Sequence, residues 1–304
     1  MKDELVKLDS NNTSEVKSVA TPSNIEEYYI SCENAYRDFW DLDHSGSMCL
    51  GFWKKGTKDL REALAYQNEV MADKVGITGH DRVLDAGCGV GGSAAFLAKR
   101  VGCKVTGITL VEDQVQKATA YASRNAVNQL VNFQRQDYTN TDFPDASFDV
   151  VWGVESICYA EPKTAFIEEA FRLLKPGGRL IIAENLATKE EMTPSERADL
   201  YDNGFKLCMV NSLDTADQYR NNLSAAGFEQ VSIDDVTELI RPSINRLHLG
   251  YYPATAYNKV KNLLGRNFSP VQLGNTKMLY YLHKSLKQNL WEYGLIYAQK
   301  PKTR

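Results

Sequence analysis

The chain has 304 residues, 43% of them hydrophobic and 24% charged, which suits one large domain with a buried core. A formal net charge of −4 gives no basic field of the kind nucleic acid requires, and no apolar run approaches the roughly 20 residues that cross a bilayer. Six cysteines (Cys32, Cys49, Cys88, Cys103, Cys158, Cys208) without a Cys-x-x-Cys pair, and only four histidines, argue against a zinc or other metal site and read as reduced thiols of a cytoplasmic protein.

Met1–Pro22 is polar, lacks the apolar core of a signal peptide and reads as a disordered tail. Ser23-Asn24-Ile25-Glu26 has capping-box form, so a helix is expected to start there and to continue through the aromatic stretch Tyr28–Trp40. After the Gly/Ser break Asp41–Ser47 comes Met48–Trp53, an apolar segment that either packs over a ligand or touches a membrane surface. A helix over about Lys58–Val75 follows, with Leu60, Leu64, Val70 and Met71 on its apolar positions.

From His80 the pattern alternates. Strands are expected at Arg82–Ala86, Lys104–Thr109, Val131–Arg135, Phe148–Gly153 and Arg179–Glu184. Between them lie helices over Ala94–Lys99, Gln114–Asn125 and Lys163–Leu174. Strands and helices alternating at these lengths imply a parallel sheet covered on both faces. Thr193-Pro194-Ser195-Glu196 starts another helical stretch, through about Met209, and Asp214–Ala226 is a further helix. A strand at Glu229–Val236 comes next. Leu239–Asn289 reads as mostly helical, interrupted near Pro253 and Ser269-Pro270, and a last strand spans Tyr293–Gln299.

The expectation is an α/β fold with a Rossmann-like, seven-stranded, mostly parallel sheet, helices on both faces and a helical lid. Residues 23–304 form one domain, with a core at about 78–186 and lid segments at about 23–75 and 239–289. The lid would cover the sheet's carboxyl edge, where open α/β sheets bind ligands.

The run Val83–Gly92 carries the chemistry. A strand enters Asp85, the chain turns through Gly87, Gly89 and Gly91, and a helix opens, so that bare backbone N–H groups face a ligand. Gly87, Gly89 and Gly92 also satisfy G-x-G-x-x-G, but a dinucleotide site needs an acid about 20 residues on, and the second strand ends at Thr109 instead. Asp85 would also repel a pyrophosphate, whereas it suits S-adenosylmethionine, which is cationic and carries no phosphate.

Together with Gly107-Ile108-Thr109-Leu110, Gln114, Gln136-Asp137, Phe143-Pro144-Asp145, Phe148-Asp149 and Leu173–Gly178, this run resembles the class I S-adenosylmethionine-dependent methyltransferases. The likeness extends over about Tyr28–Pro301. Within the class the chain looks most like the sterol C-methyltransferase and tocopherol methyltransferase group. Val154–Ala160 is similar to an Ile-Glu-Ala-Thr-Cys-His-Ala segment of the sterol enzymes. Tyr159 stands where those enzymes have histidine, and Cys49 where many relatives have histidine.

The resemblance implies that Asp85, Gly87, Cys88 and Gly89 hold the methionine end of the cofactor. Thr109, Leu110 and Gln114 would lie at the ribose and adenine, with Gln136, Asp137, Tyr138 and Val154 completing the cofactor site. Glu155 and Tyr159 would face the substrate. The alternative for Asp137 is a helix or turn cap, and for Glu155 a structural pair with a basic residue.

Candidate bases are Glu155, Tyr159, His44 and His248. The many aromatics of the lid segments, Tyr251, Tyr252, Tyr257, Tyr280 and Tyr281 among them, favour a small hydrophobic acceptor. The leading expectation is C-methylation of an isoprenoid-type alkene: a sterol, a linear terpene or a prenyl diphosphate. A diphosphate would need cations around Arg241, Arg246, His248 and Lys259. N- or O-methylation of a small natural product or amine is the alternative, and a non-catalytic cofactor-binding partner subunit the third reading. The oligomeric state stays open, a homodimer being one option.

Overall fold

The computed structural model describes residues 22–265 and 268–302. All but the last residue of the expected tail Met1–Pro22 lies outside them. Helices α1 (Pro22–Trp40), α2 (Leu42–Ser45) and α3 (Leu60–Val75) precede an alternation of β1 (Arg82–Ala86), α4 (Gly92–Val101), β2 (Lys104–Thr109), α5 (Glu112–Arg124), β3 (Val131–Arg135), β4 (Phe148–Val154), α6 (Lys163–Leu173) and β5 (Leu174–Ala187). Then come α7 (Pro194–Arg197), α8 (Ala216–Ala225), β6 (Glu229–Asp235), α9 (Thr237–Leu263), α10 (Pro270–Lys287) and β7 (Trp291–Gln299). The strands form one seven-stranded sheet, ordered β3-β2-β1-β4-β5-β7-β6. β1 to β5 pair in parallel, and β7 runs antiparallel between β5 and β6. This is the Rossmann-like, mostly parallel sheet that the alternation implies.

The near-continuous apolar strands follow from burial on both faces. Val83, Val105, Val150 and Ile181 face one core, shared with α3, α4 and α5. Leu84, Ile108, Val151, Leu180 and Ile182 face the other, closed by α6 and α8. Successive strand residues thus alternate between two hydrophobic cores.

The antiparallel β7 positions the site. Ala187 pairs with Trp291 and Asp235 with Gly294, so β7 begins, and β6 ends, at the edge where the parallel strands finish. Everything between β6 and β7, the α9–α10 hairpin, therefore rises from the sheet's carboxyl edge. α1 joins it there, with Gln272 Nε2 donating to the Ser31 carbonyl at 3.3 Å.

Two expectations need correction. α3 does not belong to a lid. It lies against the sheet, where Gln67 Nε2 donates to Tyr293 Oη at 3.0 Å and Arg179 Nη1 to the Val75 carbonyl at 3.2 Å. Pro253 does not break the hairpin's first helix either, because α9 runs through both Pro242 and Pro253. A proline deletes one backbone bond, and the turns before and after it can still carry a helix. No described helix is long and apolar enough to cross a membrane.

Candidate functional site

At the carboxyl edge of β1 the chain turns at Gly87, Gly89 and Gly91, with φ of 83°, 53° and 87°. This left-handed backbone favours glycine, and space forbids anything else at the first position: a Cβ on Gly87 would lie 2.4 Å from Ser156 Cβ. The amides of Gly87 and Cys88 both donate to the Ile108 carbonyl at 2.9 Å, which fixes the turn on β2. Gly92 opens α4 and donates to the Gly46 carbonyl at 2.8 Å, so the loop after α2 lies on the turn.

A cavity runs from this turn to the underside of the α9–α10 hairpin. Its first end is lined by Asp85, Gly87, Cys88, Gly89 and Ser93, then by Thr109, Leu110, Gln114 and Tyr138. Asp85 is 2% exposed, and its Oδ2 is buried without a hydrogen-bond partner. Burial raises its carboxyl to about 7 against the opposing pull of the Ala94 amide. A buried carboxylate oxygen with nothing to accept from is a receptor for a cation. Thr109 Oγ1 donates to Gln114 Oε1 at 2.7 Å, and Tyr138 Oη to the Ser156 carbonyl at 2.7 Å, so both walls are held in place.

Midway stand Cys49, Leu50, Val154, Glu155 and Tyr159. Glu155 follows β4 directly and takes φ +47°, a conformation costly for a residue with a side chain and commonest at functional sites. Its Oε1 accepts from the Leu50 amide and from Tyr293 Oη, both at 2.8 Å. Burial lifts its carboxyl to about 8 despite those donors, and the neighbouring Glu184 adds to the rise. Among the described residues no basic side chain bonds to it, which speaks against the structural-pair reading. Tyr159 shares a hydrogen bond with Tyr29, oxygen to oxygen, at 3.1 Å. Burial pushes its phenol far up, so it is held neutral.

The far end is apolar: Tyr36, Trp40, Phe205, Leu247, Met278, Leu282 and Trp291. Among the described lining residues there is no Lys, Arg or His. Met48–Leu50 faces this cavity, Phe52 is fully buried and Trp53 Nε1 donates to Ser243 Oγ at 2.8 Å, so the segment packs inward.

Of the expected site residues the structure brings together Asp85, Gly87, Cys88, Gly89, Thr109, Leu110, Gln114, Tyr138, Val154, Glu155 and Tyr159. It leaves out four. His44 is a surface residue with 71% of its side chain exposed, paired to Asp41 at 2.7 Å. Gln136 is spent on Gln134 and on the Asp142 amide, at 2.8 and 2.9 Å. Asp137 caps its own turn, accepting from the Thr139 amide and hydroxyl at 2.8 and 2.7 Å. His248 stacks on His283, ring centroids 4.0 Å apart, outside the cavity.

The aromatic wall also differs from expectation. It comes from Tyr29, Tyr36, Trp40, Phe205 and Trp291, while the hairpin tyrosines 251, 252, 257, 280 and 281 do not line the cavity. Tyr293, the partner of Glu155, carries no local signal: it is one residue of an apolar strand more than a hundred positions downstream.

Residues 84–182 match the family described as Methyltransferase domain. The 27-O-demethylrifamycin SV methyltransferase of Amycolatopsis mediterranei is 33% identical over 224 residues, 73% of this chain and 80% of that enzyme. The sterol 24-C-methyltransferase of Eremothecium gossypii is 32% identical over 206 residues, 66% of this chain and 54% of the relative, so the chain spans about half the length of that sterol enzyme. Among solved structures, that of the [4+2]-cyclase SpnF has a TM-score of 0.78 at 23% identity, covering 94% of this chain and 98% of that one, a likeness of fold.

Proposed function

The chain belongs to the class I S-adenosylmethionine-dependent methyltransferases, and we propose that within them it methylates a carbon of a neutral isoprenoid-type alkene, a sterol or linear terpene. The observation that carries this reading is the division of the cavity. One end offers an unpartnered carboxylate for a cation, the other an aromatic and aliphatic wall, and Glu155 stands between them. The name of the Eremothecium gossypii relative points the same way. A prenyl diphosphate is disfavoured, because the described wall has no cation to meet its charge. Arg241 is paired with Glu238, Arg246 donates to the Phe39 carbonyl, and Lys259 is exposed.

S-adenosylmethionine, when bound, supplies an electrophilic methyl group. Asp85 would hold its ammonium, and Thr109, Leu110, Gln114 and Tyr138 would bound the nucleoside end. In-line displacement asks the protein mainly for alignment and exclusion of water, which the lid of α1, α9 and α10 over a single domain of residues 23–304 provides. As an alkene carbon accepts the methyl, positive charge appears on the adjacent carbon. Ring faces of Tyr29, Tyr36 and Trp40 would stabilise it by about 0.5–2 kcal/mol each. Glu155 then accepts the proton lost as the double bond re-forms.

O-methylation is the second reading, favoured by the name of the 33% identical relative. It needs one base and no cation-stabilising wall. Turnover with methyl-labelled S-adenosylmethionine against sterols, terpenes, prenyl diphosphates, phenols and amines decides between them. Label on a carbon of a neutral isoprenoid supports the first reading, and label on oxygen or nitrogen overturns it.

A further inference from the structure

The outer face of the α9–α10 hairpin is unlike the rest of the surface. Between Leu239 and Trp291 the sequence holds eight Lys or Arg residues and no Asp or Glu, in a chain whose net charge is −4. The same element carries most of the large exposed hydrophobics. Leu249, Tyr252, Tyr257, Val260, Leu263 and Leu264 are all exposed, Leu263 by 87% and Leu264 by 71%, and Leu273 joins them one turn into α10. At 3.6 residues per turn the six positions on α9 and just beyond it fall within a single arc of about 140° and run for roughly 22 Å. Lys259 and Lys261 sit at the two margins of that arc. The opposite face of α9 is the packed one: Ile240, Ile244 and Leu247 are buried, and Leu247 lines the cavity.

We propose that this face docks on an anionic lipid bilayer, with the α9 stripe lying in the headgroup boundary and Lys259 and Lys261 reaching its phosphates. An apolar stripe edged by lysines, with the one acid of its helix, Glu238, paired to Arg241 a turn and more before the stripe begins, has the pattern of an interfacial helix. The lysine stems can lie along the apolar surface while their charges stay at the headgroups. Charge selects this occupant over a second copy of the chain. An isologous dimer would bring the same acid-free face against itself and set lysine against lysine. Bilayer docking does not depend on which acceptor the enzyme uses. It would also bring the hairpin whose inner face roofs the cavity to the phase where apolar acceptors dissolve.

The test is co-sedimentation of the full chain with vesicles of phosphatidylcholine, with and without phosphatidylglycerol. The expected result is binding at least about tenfold tighter when phosphatidylglycerol is present, and released by salt. Leu263→Asp/Leu264→Asp should lose at least about tenfold of that binding. Lys259→Glu/Lys261→Glu should lose the preference for phosphatidylglycerol, and both variants should keep the wild-type affinity for S-adenosylmethionine. Failure of the wild type to sediment with either vesicle, or equal sedimentation of the leucine variant, overturns the proposal. So does a wild-type dimer that Leu263→Asp/Leu264→Asp converts to monomer, since the face would then belong to a second copy.

Discussion

The two ends of the cavity are built in different ways. The cofactor end uses backbone: a glycine turn on β1, the Ile108 carbonyl that fixes it, and short stretches after β2 and β3. Nearly all of it lies within some fifty consecutive residues, in one parallel βαβαβ arrangement. The acceptor end uses side chains from α1, the segment 47–50, the turn at Phe205–Cys208, α9, α10 and the start of β7. The first end is specified by local geometry that few residue types satisfy. The second is specified by volume and polarity, which many sequences can meet. The donor site is thus the constrained half and the acceptor site the variable one, and substitutions at the two ends should fail in different ways.

The largest effect is expected at the junction. Glu155→Gln keeps the shape and removes the base, so kcat should fall by about 10²–10⁴-fold with the affinity for S-adenosylmethionine unchanged. In the wild type, activity should rise with pH as Glu155 ionises near 8. Folding stability should move the other way. The carboxyl is raised in the native state, which therefore holds a proton that the unfolded chain has already released, so stability falls as pH climbs from the ordinary carboxylate range to about 8. Glu155→Gln should flatten both profiles. Unchanged turnover in this variant would reduce Glu155 to a structural role.

Next in size is Asp85→Asn. A charge-assisted bond to an ammonium contributes about 1.5–3 kcal/mol, so affinity for S-adenosylmethionine should drop by about ten- to a hundredfold, measured by calorimetry. Wild-type affinity should weaken below pH 7, where Asp85 takes up a proton, and the variant should lose that dependence. Acceptor KM should hardly move, which keeps the two ends distinct.

The same contrast explains what the sequence discloses. The alternation from His80, the glycine turn and Asp85 are visible because each depends on neighbours within a few residues. Glu155 comes into view only through the likeness of Val154–Ala160 to the sterol enzymes' segment. The acceptor wall is not visible. Tyr251 and Tyr257 look like cavity residues by composition, yet the helical phase of α9 turns Tyr257 outward, Tyr251 packs on Tyr280 one turn beyond Leu247, and Trp291 and Phe205 take the wall instead. His44 failed for a related reason: a histidine near an apolar segment says nothing about its side-chain direction, and here it faces solvent beside Asp41. Pro253 misled because proline's local rule yields to the packing that holds α9 together.

A smaller effect is expected at Tyr293→Phe, which removes one of the two donors to Glu155 Oε1. The remaining carboxylate is less stabilised, so the rising limb of the pH–rate profile should shift to higher pH. At neutral pH the rate should fall a few-fold, and the S-adenosylmethionine affinity should stay fixed. A lost rate with an unmoved limb would mean that Tyr293 supports packing alone.

The smallest change sharpens the boundary of the donor site. The family resemblance gives Asp137 an adenine contact, whereas the structure spends its Oδ1 on the Thr139 amide and hydroxyl. Those bonds lie within one turn and each contributes about 0.5–1.5 kcal/mol. Asp137→Ala should therefore lower Tm by a few degrees, read by calorimetry, and leave the affinity for S-adenosylmethionine within about twofold of wild type. An affinity loss as large as that of Asp85→Asn would show instead that the turn opens when the cofactor binds, releasing Asp137 to accept from the adenine. The donor half would then be less rigid than its backbone geometry indicates, and the contrast between the two ends of the cavity would narrow.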